Sequence, residues 1–301
     1  MKSLVLSGGG SKGAFVGGML EYMHKKSNKE WDLFAGTSTG SLLQLLVSLN
    51  DYDNLRKAYT SITLDDIYNI SPFRKSDSPE TAKINIISIL RQQLIHREPT
   101  FGNNKKLKSL IKKFLPEEKF NLTRKNNKKL ITCVTNLTKV REEYYNNIDC
   151  TYNEFIDWSW ISTNAVPFTS LVKRNNDYYA DGGFMEHMPI QIAIDNGATE
   201  IDCITTNPKE WSDDKVELKN SMQVLGRIID VMMWEKQKRD FDVAKYRAKD
   251  KDVTLNVYYM PRVLTKNSMY FDKNTMNDWW SEGYNYMKNL KCDKIILKCK
   301  K

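Results

Sequence analysis

Leu4-Val5-Leu6-Ser7-Gly8-Gly9-Gly10-Ser11-Lys12-Gly13-Ala14-Phe15 decides how this chain is read. A short apolar strand runs into a glycine-rich loop, and an apolar segment that looks helical follows at once. The glycines fit G-x-G-x-x-G, the loop that seats a dinucleotide pyrophosphate at a helix N-terminus. They fit equally a loop whose backbone N–H groups face a developing oxyanion. The phosphate loop G-x-x-x-x-G-K-[ST] is not matched, because Lys12 precedes Gly13.

The next turn separates the two readings. Gly36-Thr37-Ser38-Thr39-Gly40 has the form G-x-S-x-G, between a strand read at Trp31 to Ala35 and a helix read from Gly40 to Leu49. A serine on a sharp strand-to-helix turn needs flanks without side chains. The N–H groups of the helix that starts there point at any anion formed on the serine. A dinucleotide fold asks for an acidic residue at the far end of the second strand. Asp32 stands at its start, and Gly36-Thr37-Ser38 occupies the far end. Adjacent parallel strands deliver both turns to one sheet edge. Gly8, Gly9 and Gly10 are therefore expected beside Ser38, where an oxyanion needs donors.

A serine hydroxyl needs a base, and the chain has three histidines. His24 falls on the first helix and His96 in a charged segment. His187 follows Asp181-Gly182-Gly183 and precedes Pro189, so it is a candidate. Asp181, at the end of a short strand over Tyr178 to Ala180, is the competing one.

These motifs sit in a βαβα start, which implies parallel strands covered by helices. Residues 51–129 read as a mostly helical, charged insertion broken by Pro72, Pro79, Pro99 and Pro116, with the makings of a cap. Strands are expected at Leu130 to Thr135 and Glu143 to Tyr145, and a helix at Tyr152 to Ser162. Beyond Asp181 come a helix opening at Pro189, a strand at Ile201 to Thr205 and a long helix from Asn220 to Lys249. A strand at Val253 to Tyr259 and a helix at Thr275 to Leu290 close the pattern. The expectation is one α/β domain over 1–301, with its motifs in 3–195 and a C-terminal extension over 196–301; a separate C-terminal half after Asn196 is the alternative.

Composition bounds the rest. The 301 residues are 41% hydrophobic and 28% charged, with material for a large core. Leu4 to Leu6 is too short for a signal peptide's apolar region, and no stretch approaches the roughly 18–20 apolar residues of a membrane span. A cytoplasmic location follows as the expectation. Cys133, Cys150, Cys203, Cys292 and Cys299 are odd in number and form no C-x-x-C pair, against a disulfide framework or structural zinc. A net charge of +9 suits an anionic partner, yet the lysines lie in short clusters (Lys105-Lys106, Lys112-Lys113, Lys128-Lys129, Lys300-Lys301) and equally reflect overall composition. No nucleic-acid-binding signature is present, so no nucleic-acid partner is expected.

Taken in order, Gly8-Gly9-Gly10-Ser11-Lys12-Gly13, Gly36-Thr37-Ser38-Thr39-Gly40 and Asp181-Gly182-Gly183 resemble the patatin-like phospholipase family over about residues 3 to 195. Ser162-Thr163-Asn164-Ala165-Val166-Pro167-Phe168 and Pro189 agree with it more softly. The resemblance implies a three-layer α/β/α sandwich with a mainly parallel central sheet. It also implies a Ser–Asp dyad without histidine, acting on acyl esters of lipids. Carried over, Ser38 is the nucleophile, Asp181 the general base and Gly8, Gly9 and Gly10 the oxyanion hole, with Lys12, Gly13, Gly36, Gly40, Gly182 and Gly183 as supporting motif positions. No metal or cofactor is expected for these steps, and no calcium loop of the D-x-[DN]-x-[DN]-G type occurs.

The expected substrate is a phospholipid met peripherally at a membrane surface. A soluble esterase, thioesterase or acyltransferase using the same dyad is the alternative. The chain departs from the family where Glu186 and His187 replace the small or amide residues usual before Pro189. An acyl channel is sought in Leu42, Leu43, Leu45 and Leu46 and in Ile228-Ile229-Asp230-Val231-Met232-Met233-Trp234, a stripe that also reads as core packing.

Overall fold

The computed structural model describes residues 1–79, 82–211, 218, 220–290 and 294–295. In chain order, β1 (Lys2–Leu6) passes through a single 3-10 turn into α1 (Gly13–Ser27), and β2 (Leu33–Thr37) turns sharply into α2 (Thr39–Val47). The insertion contributes α3 (Tyr52–Thr60), α4 (Leu64–Ile67), a ladder of β3 (Phe73–Arg74) with β4 (Lys83–Ile84), α5 (Ile86–Leu90) running on as a π-helical turn to Ile95, α6 (Lys105–Phe114) and α7 (Glu117–Lys125). Then come β5 (Lys129–Asn136), β6 (Arg141–Asn146), α8 (Tyr152–Ile161), β7 (Val172–Arg174), β8 (Asp177–Asp181) and α9 (Ile190–Asp195). The chain continues through β9 (Glu200–Pro208), α10 (Ser221–Asp250), β10 (Thr254–Met260), α11 (Lys273–Asn289) and β11 (Lys294–Ile295).

Five strands, β10-β9-β1-β2-β5, pair in parallel, and antiparallel strands finish both margins. β11 lies on β10, while β6 and β8 both pair with β5 and β7 pairs with β8. Alternation along the central strands sends side chains to two separate cores. Leu4, Leu6, Phe34, Leu130 and Val134 pack with Phe15, Met19 and Leu20 of α1, Leu43 of α2 and Trp280 of α11. Val5, Leu33, Ala35, Ile131 and Cys203 pack on the opposite face with Ile190 of α9 and Phe241 and Ala244 of α10. Full burial of each large aliphatic or Phe side chain is worth about 1.5–3 kcal/mol. The result is the three-layer α/β/α sandwich with a mainly parallel sheet.

Local differences from the sequence reading have simple causes. β2 runs two residues further toward Ser38, because Gly36 and Thr37 still pair with Thr132 and Cys133. Pro189 caps α9 rather than opening it from within. β3, β4 and β7 are two- or three-residue strands carrying Lys or Arg, and so give no apolar run. Cys133, Cys150 and Cys203 are free thiols; Cys292, Cys299 and Lys300-Lys301 lie outside the described residues. Among the described residues no helix is long and apolar enough to cross a membrane.

Candidate active site

Strand register brings Ser38 and Asp181 together. β5 pairs with β2 up to Thr37–Cys133, and with β8 from Val134–Asp181 onward. Residues 131–133 pair with both β2 and β6, and residues 134–136 with both β6 and β8. Since β6 holds one edge of β5 throughout, β2 and β8 must share the other, end to end. The C-terminal ends of two oppositely directed strands therefore meet at consecutive residues of β5. One carries Ser38 and the other Asp181.

Ser38 adopts φ 53°, ψ −123°, a region costly for a residue with a Cβ and typical of positions that the surroundings over-determine. The flanking glycines make that turn possible. A Cβ on Gly40 would stand 2.2 Å from the Leu6 carbonyl oxygen, and one on Gly36 2.4 Å from the Gly40 carbonyl carbon. The turn is held through backbone atoms: Ser38 N–H donates to Ser162 Oγ at 2.8 Å, and Ser162 Oγ donates in turn to the Cys133 carbonyl at 2.6 Å. Ser41 donates to the Ser38 carbonyl from its N–H and from its hydroxyl.

Asp181 is 2% exposed. Its carboxylate accepts the Gly183 N–H at 2.8 Å. Burial pushes its pKa up to about 7, against the pull of the Ser38 side chain and the Gly183 N–H. Its own N–H donates to the Asn164 carbonyl at 2.8 Å, and Thr135 Oγ1 donates to its carbonyl. One short stretch after α8, Ser162 to Asn164, thus braces both Ser38 and Asp181.

The glycine loop packs on the serine: a Cβ on Gly8 would lie 2.9 Å from Ser38 Cβ. Gly10 has φ 56°, and a Cβ there would stand 2.1 Å from the Ser268 carbonyl oxygen, so only glycine fits. The N–H groups of Gly8, Gly9 and Gly10 meet no acceptor among the described residues, whereas Ser7, Ser11 and Lys12 N–H donate to Ile204, Ser268 and Gly9 carbonyls. Thr206 on β9 fixes the loop by donating its hydroxyl to the Gly8 carbonyl. Lys12 is buried, donates from Nζ to Asn207 Oδ1 at 3.0 Å and faces Asp230; burial lowers its pKa.

His187 stands in the same chamber, 4% exposed, with neither ring nitrogen bonded to any of the described residues. Burial first, and then the charge of Lys12, lower its pKa to about 3, so the ring is neutral and a feeble base. Its backbone N–H and that of Met188 both donate to Asp240 Oδ2 on α10, at 2.8 and 2.9 Å. Glu186 points elsewhere, accepting from Tyr144 OH, and burial raises its pKa to about 8. His24 stacks on Tyr52, His96 is exposed, and Asp32 sits before β2 beside Lys2 and Lys128. None of these last three lines the cavity.

That cavity is about 590 Å³ and has Ser38, Asp181, His187, Lys12 and Gly8–Gly10 on its wall. Its apolar lining comes from Leu42, Leu45 and Leu46 of α2 and from the insertion, through residues such as Leu55, Tyr59, Tyr68, Leu107 and Ile111. Leu43 points into the core instead. The Ile228–Trp234 run divides by helix face. Ile229, Asp230 and Met233 line the cavity, Trp234 is buried against Trp211, and Ile228, Val231 and Met232 are exposed.

Thr206 and Asp240 were not singled out by the sequence, and Ser162 entered only within the Ser162–Phe168 stretch and without a role, because each acts on backbone groups of a distant segment. Ser162→Ala tests the bracing: it leaves the Ser38 N–H unpaired, at a cost of about 1–3 kcal/mol. A lowered melting temperature and a lower kcat on a soluble ester are the expected result; unchanged values for both would show that the bracing is not needed.

Residues 4–194 match the family profile described as patatin-like phospholipase. The chain is 29% identical over 204 residues to "Probable lipid hydrolase 463L" of Invertebrate iridescent virus 6, covering 64% of this chain and 63% of that protein. It superposes on the crystal structure of VipD from Legionella pneumophila with a TM-score of 0.51 at 14% identity, over 95% of this chain and 66% of that one. The chain thus spans a little under two thirds of the length of either relative.

Proposed function

The chain belongs to the patatin-like phospholipase family, and from that premise we propose that it is a lipid acyl hydrolase of phospholipase A or lysophospholipase type. Ser38 is its nucleophile and Asp181 its general base. The observation that carries this reading is that Ser38 and the buried Asp181 stand together on the wall of a large apolar cavity, the Ser38 side chain favouring the ionised carboxylate. The resemblance of this chain to 63% of a viral relative's length, under a lipid-hydrolase name, supports the same substrate class.

In the proposed reaction the Asp181 carboxylate takes the Ser38 proton as Oγ attacks the ester carbonyl. The carbonyl oxygen becomes an oxyanion held by the N–H groups of Gly8, Gly9 and Gly10, one such donor being worth about 2.7–4 kcal/mol. Collapse breaks the ester C–O bond, and Asp181 gives its proton to the departing alcohol. Water then attacks the acylated Ser38, Asp181 takes the water's proton and passes it to Ser38 Oγ, and the free acid leaves. The cavity accepts the acyl chain, which removes apolar surface from water on both sides.

A base must be ionised to act. With the carboxyl pushed up to about 7, kcat/KM on a soluble ester is expected to rise with pH through about 7 and level off above it, with one-proton steepness. A profile flat from about pH 5 to 9 would count against Asp181 as the base. His187→Ala is expected to keep activity within about tenfold, because a ring with a pKa near 3 contributes little as a base at neutral pH. A loss as deep as that of Ser38→Ala would overturn the assignment of the dyad.

Substrate class is tested with a series of p-nitrophenyl esters of increasing acyl length. The apolar cavity predicts that kcat/KM rises with chain length. Preference for the shortest esters would point to the soluble esterase, thioesterase or acyltransferase reading.

A further inference from the structure

We infer that the exposed apolar face of the Ile86–Ile95 segment docks the protein on an anionic phospholipid bilayer, an inference that takes its substrate route from the lipid-hydrolase reading. Five large aliphatic side chains stand out from this one short helical segment: Ile86, Ile87, Leu90, Leu94 and Ile95, exposed by 64, 71, 49, 72 and 70%. Folded proteins rarely leave such a contiguous apolar row in water without a partner for it. The segment opens two residues after Ile84, whose side chain lines the cavity that holds Ser38. The apolar row thus begins two residues along the chain from the cavity wall.

A second apolar row borders the same cavity. On α10, Val224, Ile228, Val231 and Met232 are 39, 50, 46 and 55% exposed, at i, i+4, i+7 and i+8, which is one helical stripe. Ile229 and Met233, on another side of the same helix, line the cavity. α10 thus turns one side to the chamber and another, apolar, side outward. Helices lying in a membrane interface have this division.

Charge selects the occupant. From Ala82 to Arg97 the chain holds Lys83, Arg91 and Arg97, of which Lys83 pairs with Asp77, and Glu98 follows, within a protein of net charge +9. Apolar side chains beside Arg91 and Arg97 match a leaflet containing anionic lipid.

The test uses Ser38→Ala protein, so that binding is read without turnover, and vesicles of phosphatidylcholine with or without phosphatidylglycerol. Expected are sedimentation with the mixed vesicles and weaker binding to pure phosphatidylcholine. Adding Ile87→Asp and Leu94→Asp is expected to lower the partition coefficient by at least about tenfold. In the active chain, Ile87→Asp with Leu94→Asp should leave hydrolysis of a soluble short-chain ester within about twofold. Hydrogen exchange supplies a reading that needs no surface variant: amides 86–95 should slow on vesicle addition.

Undiminished vesicle binding by the double variant, or unchanged exchange at 86–95, overturns the inference. So does failure to bind vesicles with a dimer that Ile87→Asp and Leu94→Asp dissolve, which would make the face a protein interface. Failure of the lipid-hydrolase reading is seen separately, as absence of Ser38-dependent ester cleavage by a chain that still binds vesicles.

Discussion

Replacing Ser38 by Ala is expected to lower kcat on an activated ester by about 10⁶-fold, the scale seen when a serine hydrolase loses its nucleophile. The fold should survive, because the hydrogen bonds at this turn run through the Ser38 N–H and carbonyl to Ser162 and Ser41. Ala keeps both backbone groups. The costly φ of 53° is also unchanged, since Ala carries a Cβ as Ser does. What goes is Oγ, the proposed nucleophile. Steady-state hydrolysis of p-nitrophenyl butyrate, with a melting curve alongside, checks this. Residual activity within tenfold of the unaltered chain would remove Ser38 from the reaction.

Asp181→Asn is the second large effect, expected at roughly 10³- to 10⁴-fold in kcat, near the top of the range for general acid–base catalysis. The amide oxygen can still accept the Gly183 N–H that now binds the carboxylate at 2.8 Å, so the turn after β8 is retained. The amide cannot take the Ser38 proton. A second signature separates loss of the base from distortion. The rise in rate through about pH 7, attributed to Asp181, should vanish in the Asn variant. An Asn variant that keeps both rate and pH profile would move the base elsewhere, with His187 another titratable group on the cavity wall.

The chemistry of this site was more legible in the sequence than its support. Turns that bring a backbone within contact distance of another chain segment leave glycines behind, and Gly10, Gly36 and Gly40 mark such places. Ser38 and Asp181 could be placed because each ends a strand next to such glycines. Residue types alone did not choose between Asp181 and His187; the resemblance favoured Asp181, and the proposal follows it because the Ser38 side chain acts on the Asp181 carboxyl while the His187 ring nitrogens meet no partner among the described residues.

The bracing was not legible for a physical reason. Ser162 lies 124 residues from Ser38, Thr206 198 from Gly8 and Asp240 53 from His187. Each is an ordinary polar residue bonding to backbone, so no spacing rule marks it. Thr206, Ser268 and Asp240 also lie beyond residue 194, where the family match ends. The C-terminal extension therefore reaches the site through β9, α10 and the loop at Ser268, although its sequence carries no motif. The Ile228–Trp234 run shows the same limit. Composition marked it as apolar, but only its place on α10 divides cavity lining from exposed stripe.

Release of free fatty acid from phospholipid vesicles, measured for the unaltered chain and for Ser38→Ala side by side, tests the central claim most directly. The account predicts release by the unaltered chain alone, growing with time and silent in the variant. Equal release by both, or none by an unaltered chain that sediments with the vesicles, would contradict it.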